Sequence, residues 1–188
     1  MNPYPLLVAL FFFITITGAK AQKGYVITKK NDTIYCDVKL NSTLDPQYQS
    51  PLDNKFHVIK AKYINGYRLS GSIIPAILKN VGTGRKHAFV NPIVVGKLSL
   101  YQETGSFRDD SGFLINYTWY YVSKTGEPLT QFANDQFITK YGKQFFHDMI
   151  ADDFKLAAAF DNEKHLTQHG KFDIQTVVQY AHDYNKVQ

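Results

Sequence analysis

The chain has 188 residues, a net charge of +5 at pH 7, 44% hydrophobic residues and one cysteine. A single cysteine excludes an internal disulfide framework, and the length suits one domain. The basic residues are dispersed, with only Lys29-Lys30 and Arg85-Lys86 adjacent. That argues against nucleic-acid binding, which rests on dense basic clusters.

Residues 1–21 predict a secretory signal peptide. Leu6–Gly18 is almost wholly apolar, and Ala19-Lys20-Ala21 is a small-x-small cleavage site ahead of Gln22. The apolar run falls short of the about 20 residues that a spanning helix needs. The lead before it lacks Lys and Arg, and an uncleaved amino-terminal anchor is the competing reading. No Cys follows the run, which argues against a lipoprotein. The expected mature chain has 167 residues and a charge of +4. It is expected to lack a transmembrane segment and to reside in the periplasm, at the outer membrane or in the medium.

Charge divides unevenly along the mature chain, +7 over 22–126 and −3 over 127–188. Tyr and Phe number 13 and 14, and both favour half-buried strands. Gly24–Lys30 and Thr33–Leu40 read as a hairpin around Lys30-Asn31-Asp32. In the second strand Ile34, Cys36, Val38 and Leu40 share one face, which points the Cys36 thiol into the core. Asn41–Lys55 is polar and reads as a long loop. Phe56–Tyr63 alternates, and Asn65-Gly66 predicts a tight turn. Tyr67–Leu69 and Ser72–Leu78 follow as strands, the latter at an edge or bulged because Pro75 has no amide donor.

Val81–Lys86 reads as a turn and Val94–Tyr101 as a strand. Thr104–Gly112 is polar and turn-like. Phe113–Ser123 is the strongest strand signal. Leu98–Tyr101 is expected to pair with Phe113–Tyr117. Lys124–Pro128 is expected to close the β region. A period near 3.6 then sets in. Phe145, Phe146, Met149 and Ile150 form one helical stripe, and Asp152 or Asp153 caps a helix through Leu156–Phe160. Asp173 caps the last helix, Phe172 staples onto Val177, and Ile174, Val177, Val178 and Ala181 form its stripe.

Gly24-Tyr-Val-Ile-Thr-Lys-Lys-Asn-Asp-Thr-Ile-Tyr-Cys-Asp-Val resembles the opening hairpin of small exported proteins of Bacteroidota. Val177-Val178-Gln-Tyr180-Ala-His-Asp-Tyr184-Asn185 is similar to their closing helix, which ends in Tyr-Asn, and Ile64-Asn-Gly66-Tyr67 fits loosely. Cys36 departs from the pattern, where Gly is more usual. Those proteins are largely of unknown function. The resemblance implies export and a sheet followed by helices, and it transfers no catalytic residue.

Catalytic and metal motifs are weak. His165 and His169 share a helix face, but zinc needs three or four ligands and no third has motif spacing. His147-Asp148 and His182-Asp183 are adjacent pairs whose side chains are expected to diverge. Cys36 faces inward, and no Gly-x-Ser-x-Gly elbow exists. Asp109-Asp110 reads as a solvated turn rather than a calcium loop. Gly82-Thr-Gly-Arg-Lys86 lacks the context of a phosphate cradle. Sequons at Asn31, Asn41 and Asn116 matter only in a eukaryotic secretory route. On the aromatic strand, Ile115, Tyr117, Trp119 and Tyr121 share a face. Core packing explains them better than a carbohydrate platform, because the opposite face is also apolar.

The expectation is therefore a single α+β domain over 22–188, β-rich over 22–126 and helical over 127–188. It places an antiparallel sheet, open or partly closed into a barrel, beneath carboxy-terminal helices. The leading function is a non-catalytic cell-envelope module that binds a protein partner or a glycan. No catalytic, cofactor or metal residue is assigned. Its contacts are expected at Asn41–Lys55 and Thr104–Gly112, because loops on a rigid sheet carry recognition. One alternative is a small hydrolase that gathers at least two of Asp109, Asp110, His57, His87 and Arg85 in a pocket. Another is a basic protein that binds anionic lipid or polysaccharide.

Overall fold

A computed structural model describes residues 22–82, 87–138, 140–164, 167–168 and 171–186. The predicted leader, the turn 83–86 with Arg85, the His165/His169 pair and the Phe172 staple lie outside the described residues and side chains.

The first half of the chain forms β1 (Gly24–Thr28), β2 (Thr33–Cys36), β3 (Val38–Leu40), β4 (Pro46–Gln49), β5 (Phe56–Val58), β6 (Ile64–Arg68) and β7 (Ala76–Asn80). The second half adds β8 (His87–Val94), β9 (Leu98–Arg108), β10 (Leu114–Lys124) and β11 (Thr130–Asn134). Helices α1 (Lys140–Ile150) and α2 (Phe154–Asp161), the short β12 (Thr167–Gln168) and β13 (Lys171–Phe172), and α3 (Ile174–Lys186) complete it. Among the described residues, eight strands form one antiparallel sheet in the order β11-β10-β9-β8-β7-β6-β1-β2, and β3-β4-β5 form a second. The large sheet is open, with β11 and β2 at its edges. It curls until Val81 meets Leu129 in one isolated bridge. The fold is α+β, as expected.

The first hairpin forms where the sequence places it. Asn31 takes a left-handed φ of 65° at the turn. Cys36 and Val38 are buried as the alternation requires. Thr33–Leu40 is not one strand, however. At Asp37 the chain leaves β1 and pairs onward with β4 in the small sheet. Asn65-Gly66 is no turn either. Both lie inside β6, where Asn65 is the extra residue of a bulge: Gly66 pairs with Ile27 and Ile64 with the next residue, Thr28. A Cβ on Gly66 would sit 2.9 Å from the Ala76 carbonyl oxygen, so close strand packing explains this glycine. Pro75 precedes β7, which leaves β7 an interior strand between β6 and β8.

Three further expectations are corrected in the second half. The strand assigned to Val94–Tyr101 breaks after Val94, and β9 starts at Leu98. Thr104–Arg108 continues β9 rather than turning, so Leu98 pairs with Lys124 and Arg108 with Leu114. The turn itself is Asp109–Gly112, held by the Asp109 carboxylate, which accepts from Ser111 N at 3.0 Å and Phe113 N at 2.8 Å. The β region also continues past Pro128, because β11 adds a strand beside β10 before the helices begin at Lys140.

The helices cover one face of the β8–β11 half. Leu98, Leu100 and Val122 meet Phe146, Ile150, Phe160, Val177 and Ala181, all fully buried. Asp153, not Asp152, caps α2 by accepting from Leu156 N at 3.1 Å, and Asp173 accepts from Gln175 N at 3.0 Å to start α3. No described helix is long and apolar enough to cross a membrane. Core packing of the aromatic strand holds for its second half, where Tyr121 and Val122 are buried from opposite faces. It fails at the start, where Leu114 and Ile115 are exposed.

Candidate functional site

The site arises from a split in the large sheet. Strand β8 pairs with β9 only over Asn91–Val94 against Leu100–Gln102. Its first half, His87–Val90, is committed to β7 on the other side. Strand β9 pairs with β10 along its whole length, and beyond Gln102 it pairs, among the described residues, with β10 alone. The two strands part, and a cavity of about 380 Å³ opens between them and the small sheet.

Four structures shape this cavity. The first is the β3–β4 turn. Asn41 Oδ1 accepts from Thr43 N, Thr43 Oγ1 and Asp45 N at 2.8–2.9 Å, which ties the turn into a rigid Asx-type loop. Leu44 is held there at a φ of 59°, a strained value for leucine, and lines the cavity. The second is the contact that closes the far end, where Ser106 Oγ donates to the Thr43 carbonyl at 2.6 Å. The third is an aromatic wall, with Tyr67 and Phe89 edge to face at 5.3 Å and Tyr117 lying across Gly105. A Cβ on Gly105 would meet the Tyr117 hydroxyl at 2.5 Å. The fourth is Glu103, buried on the cavity face of β9, which accepts from the Tyr121 hydroxyl at 2.6 Å.

The electrostatics keep this wall in its hydrogen-bonding form. Burial, and then the Glu103 charge, push the Tyr67 hydroxyl up to about 12. Tyr67 therefore stays a neutral donor at any physiological pH. Half-buried hydroxyls, a buried carboxyl group, Asn91 and three rings give a ligand both polar anchors and apolar surface.

The candidate residues read from the sequence scatter. Of the four described members of the hydrolase set, only His87 lines the cavity. Asp109 holds the hairpin turn and Asp110 is exposed beside it. His57, on the edge strand β5, pairs with Asp53 at 2.9 Å, and both side chains are exposed to water. His147 corrects the expectation of divergence, since its ring reaches both Asp148, at 3.2 Å, and Asp161, at 3.4 Å. Asp183 bonds Gln179 and Lys186 instead of its neighbour His182. Among the described residues no group of three His, Cys, Asp or Glu is placed to hold a metal.

The two segments singled out as contact regions do come together. Thr43–Asp45 and Thr104–Ser106 form opposite walls. Neither segment is the loop expected from sequence, since β4 (Pro46–Gln49) interrupts Asn41–Lys55 and Thr104–Arg108 belongs to β9. Glu103, Tyr67 and Phe89 were missed. The available signal was an acid in Leu98-Ser-Leu-Tyr-Gln-Glu103, where period two puts Glu103 on the face of buried Tyr101. Comparison with known proteins finds no matching family model, no matching curated protein and no matching solved structure.

Proposed function

We propose that this protein is an exported, non-catalytic binding module of the cell envelope, and that its protein or glycan ligand seats in the cavity at the split. The observation that carries the reading is the Ser106–Thr43 hydrogen bond, 2.6 Å long and spanning 63 residues. It locks two remote segments into opposite walls, so the cavity is pre-formed and binding need not pay for its assembly. The strained Leu44 belongs with this, because such backbone persists only where surrounding structure enforces it. Export is supported by the apolar leader with its small-x-small site, and by the likeness of the opening hairpin to small exported Bacteroidota proteins.

The test places a photo-crosslinking residue at Thr104, on the cavity wall, in the native host. One envelope component is expected to crosslink, and Asn91→Trp, which fills the cavity, is expected to abolish the product while the melting temperature stays within a few degrees. Mature protein is expected to begin at Gln22. Turnover of a chromogenic ester, phosphate or glycoside that His87→Ala or Glu103→Gln abolishes would overturn the reading in favour of a hydrolase.

A further inference from the structure

We infer that the ligand presents an extended peptide segment, which adds as a short strand along Thr104–Ser106 inside the split. The inference rests on the cavity being the binding site. A strand has two hydrogen-bonding edges, and here each strand uses one away from the cavity. His87–Val90 pairs with β7, and Thr104–Ser106 pairs with β10 through Thr118, Tyr117 and Asn116. Their other edges face each other, with no ladder rung joining them among the described residues. Such edges display amide and carbonyl groups at the strand repeat, which an extended backbone matches and a sugar ring does not.

Two observations agree with a peptide. Ser106 already binds one peptide carbonyl, that of Thr43, at the end of the split. The rings of Tyr67, Phe89 and Tyr117 line the same space, which gives an apolar recess for one side chain of the added strand. Thr104–Ser106 spans roughly 10 Å at the rise of a strand, so the paired stretch is about three residues long. Specificity then rests on the one or two side chains that face the recess.

The experiment titrates the labelled protein with a library of randomised hexapeptides and, separately, with a panel of neutral and anionic oligosaccharides. Amide signals are followed by NMR. The best peptide is then resynthesised with N-methyl groups at alternate residues. Expected are shifts at Ala88–Val90 and Thr104–Ser106, and slower amide exchange there. N-methylation is expected to weaken binding about tenfold, the scale of one lost hydrogen bond. Affinity that survives N-methylation at every position would overturn the strand-addition inference. Oligosaccharides moving these signals while peptides do not would overturn it too, and would leave the cavity as a glycan site. If neither ligand set moves them, the inference and the proposed function fall together.

Discussion

Tyr184 donates its hydroxyl to Asp152, lying 2.9 and 2.7 Å from the two carboxylate oxygens, and so pins the closing helix to the loop between α1 and α2. Lys124 of β10 donates to the same carboxylate at 3.0 Å. Three elements thus meet at one acid. Tyr184→Phe keeps the buried ring and removes only the hydroxyl. Asp152 is half exposed and can rehydrate, so the loss is expected at about 1 kcal/mol, or about 2–4 °C in melting temperature. Tyr184→Ala empties a fully buried site and is expected to cost at least about 3 kcal/mol. Urea titration of both variants separates the two contributions.

The same acid sets a pH dependence. The Tyr184 hydroxyl, and after it the Lys124 ammonium, hold the Asp152 carboxyl down to about 2 from 3.8. A depressed carboxyl stabilises the fold fully above its unfolded value, and that contribution fades as pH falls from about 4 toward 2. Water screening at this half-exposed site keeps it below about 1 kcal/mol. Wild type and Asp152→Asn are expected to differ in urea midpoint at pH 6 and to converge near pH 2. A gap that persists unchanged at pH 2 contradicts the assignment.

Next to Tyr184, Asn185 acts as a substitute strand. Its amide accepts from Leu98 N at 2.9 Å and donates to the Leu98 carbonyl at 2.8 Å, at a residue that is completely buried. Asn185→Ala leaves both backbone groups unpaired and is expected to cost about 2–3 kcal/mol. Gly96 makes room for that amide, since a Cβ there would lie 2.4 Å from Asn185 Nδ2. Gly96→Ala is expected to destabilise the wild type and to cost far less once Asn185 is already Ala. A double-mutant cycle on unfolding free energies measures that coupling. Additive losses would mean that Gly96 acts through its own backbone.

Local patterns explain what was legible. The first hairpin, the buried face of Cys36 and the helix caps at Asp153 and Asp173 depend on residues a few positions apart. Thr104–Arg108 was hidden because this end of β9 is largely exposed and shows no apolar alternation. Asn65-Gly66 carried a strong turn signal, yet strand packing against Ala76 decided its conformation. The Tyr184-Asn185 ending was visible as a resemblance, but its lock on Leu98 acts across 87 residues and leaves no local trace. The cavity was hidden for a similar reason, since it follows from where two strands stop pairing.

Cys36 is predicted to be inert in the folded protein. Burial, followed by the neighbouring Asp37 charge, raises its thiol above the ordinary value, and Sγ lies 3.6 Å from the Ile34 carbonyl. The thiolate is the reactive form, so both exposure and ionisation work against modification. Reaction with a disulfide reagent at pH 8 is expected to run at least roughly tenfold slower than for free cysteine, and to reach the free rate in denaturant. Rapid labelling of the native protein would contradict the buried placement.

Trp119 offers a direct reading of the cavity, because it is the one tryptophan of the chain. Its ring lies 4.4 Å from that of Tyr117, tilted by 30°, and Tyr117 in turn lies over Gly105. Gly105→Ala would drive a methyl group into the far end of the Tyr117 side chain. The ring can swing away, and Ala suits a strand better than Gly, so the net stability change is expected to stay within about 1 kcal/mol. The stack on Trp119 cannot survive that swing unchanged. Gly105→Ala is therefore expected to alter the Trp119 emission while leaving the melting temperature nearly constant. Ligand entering beside Tyr117 is expected to move the same emission in wild type, and Asn91→Trp is unsuitable for this measurement because it adds a second fluorophore. Emission unchanged in Gly105→Ala would show that Tyr117 does not couple the cavity to Trp119.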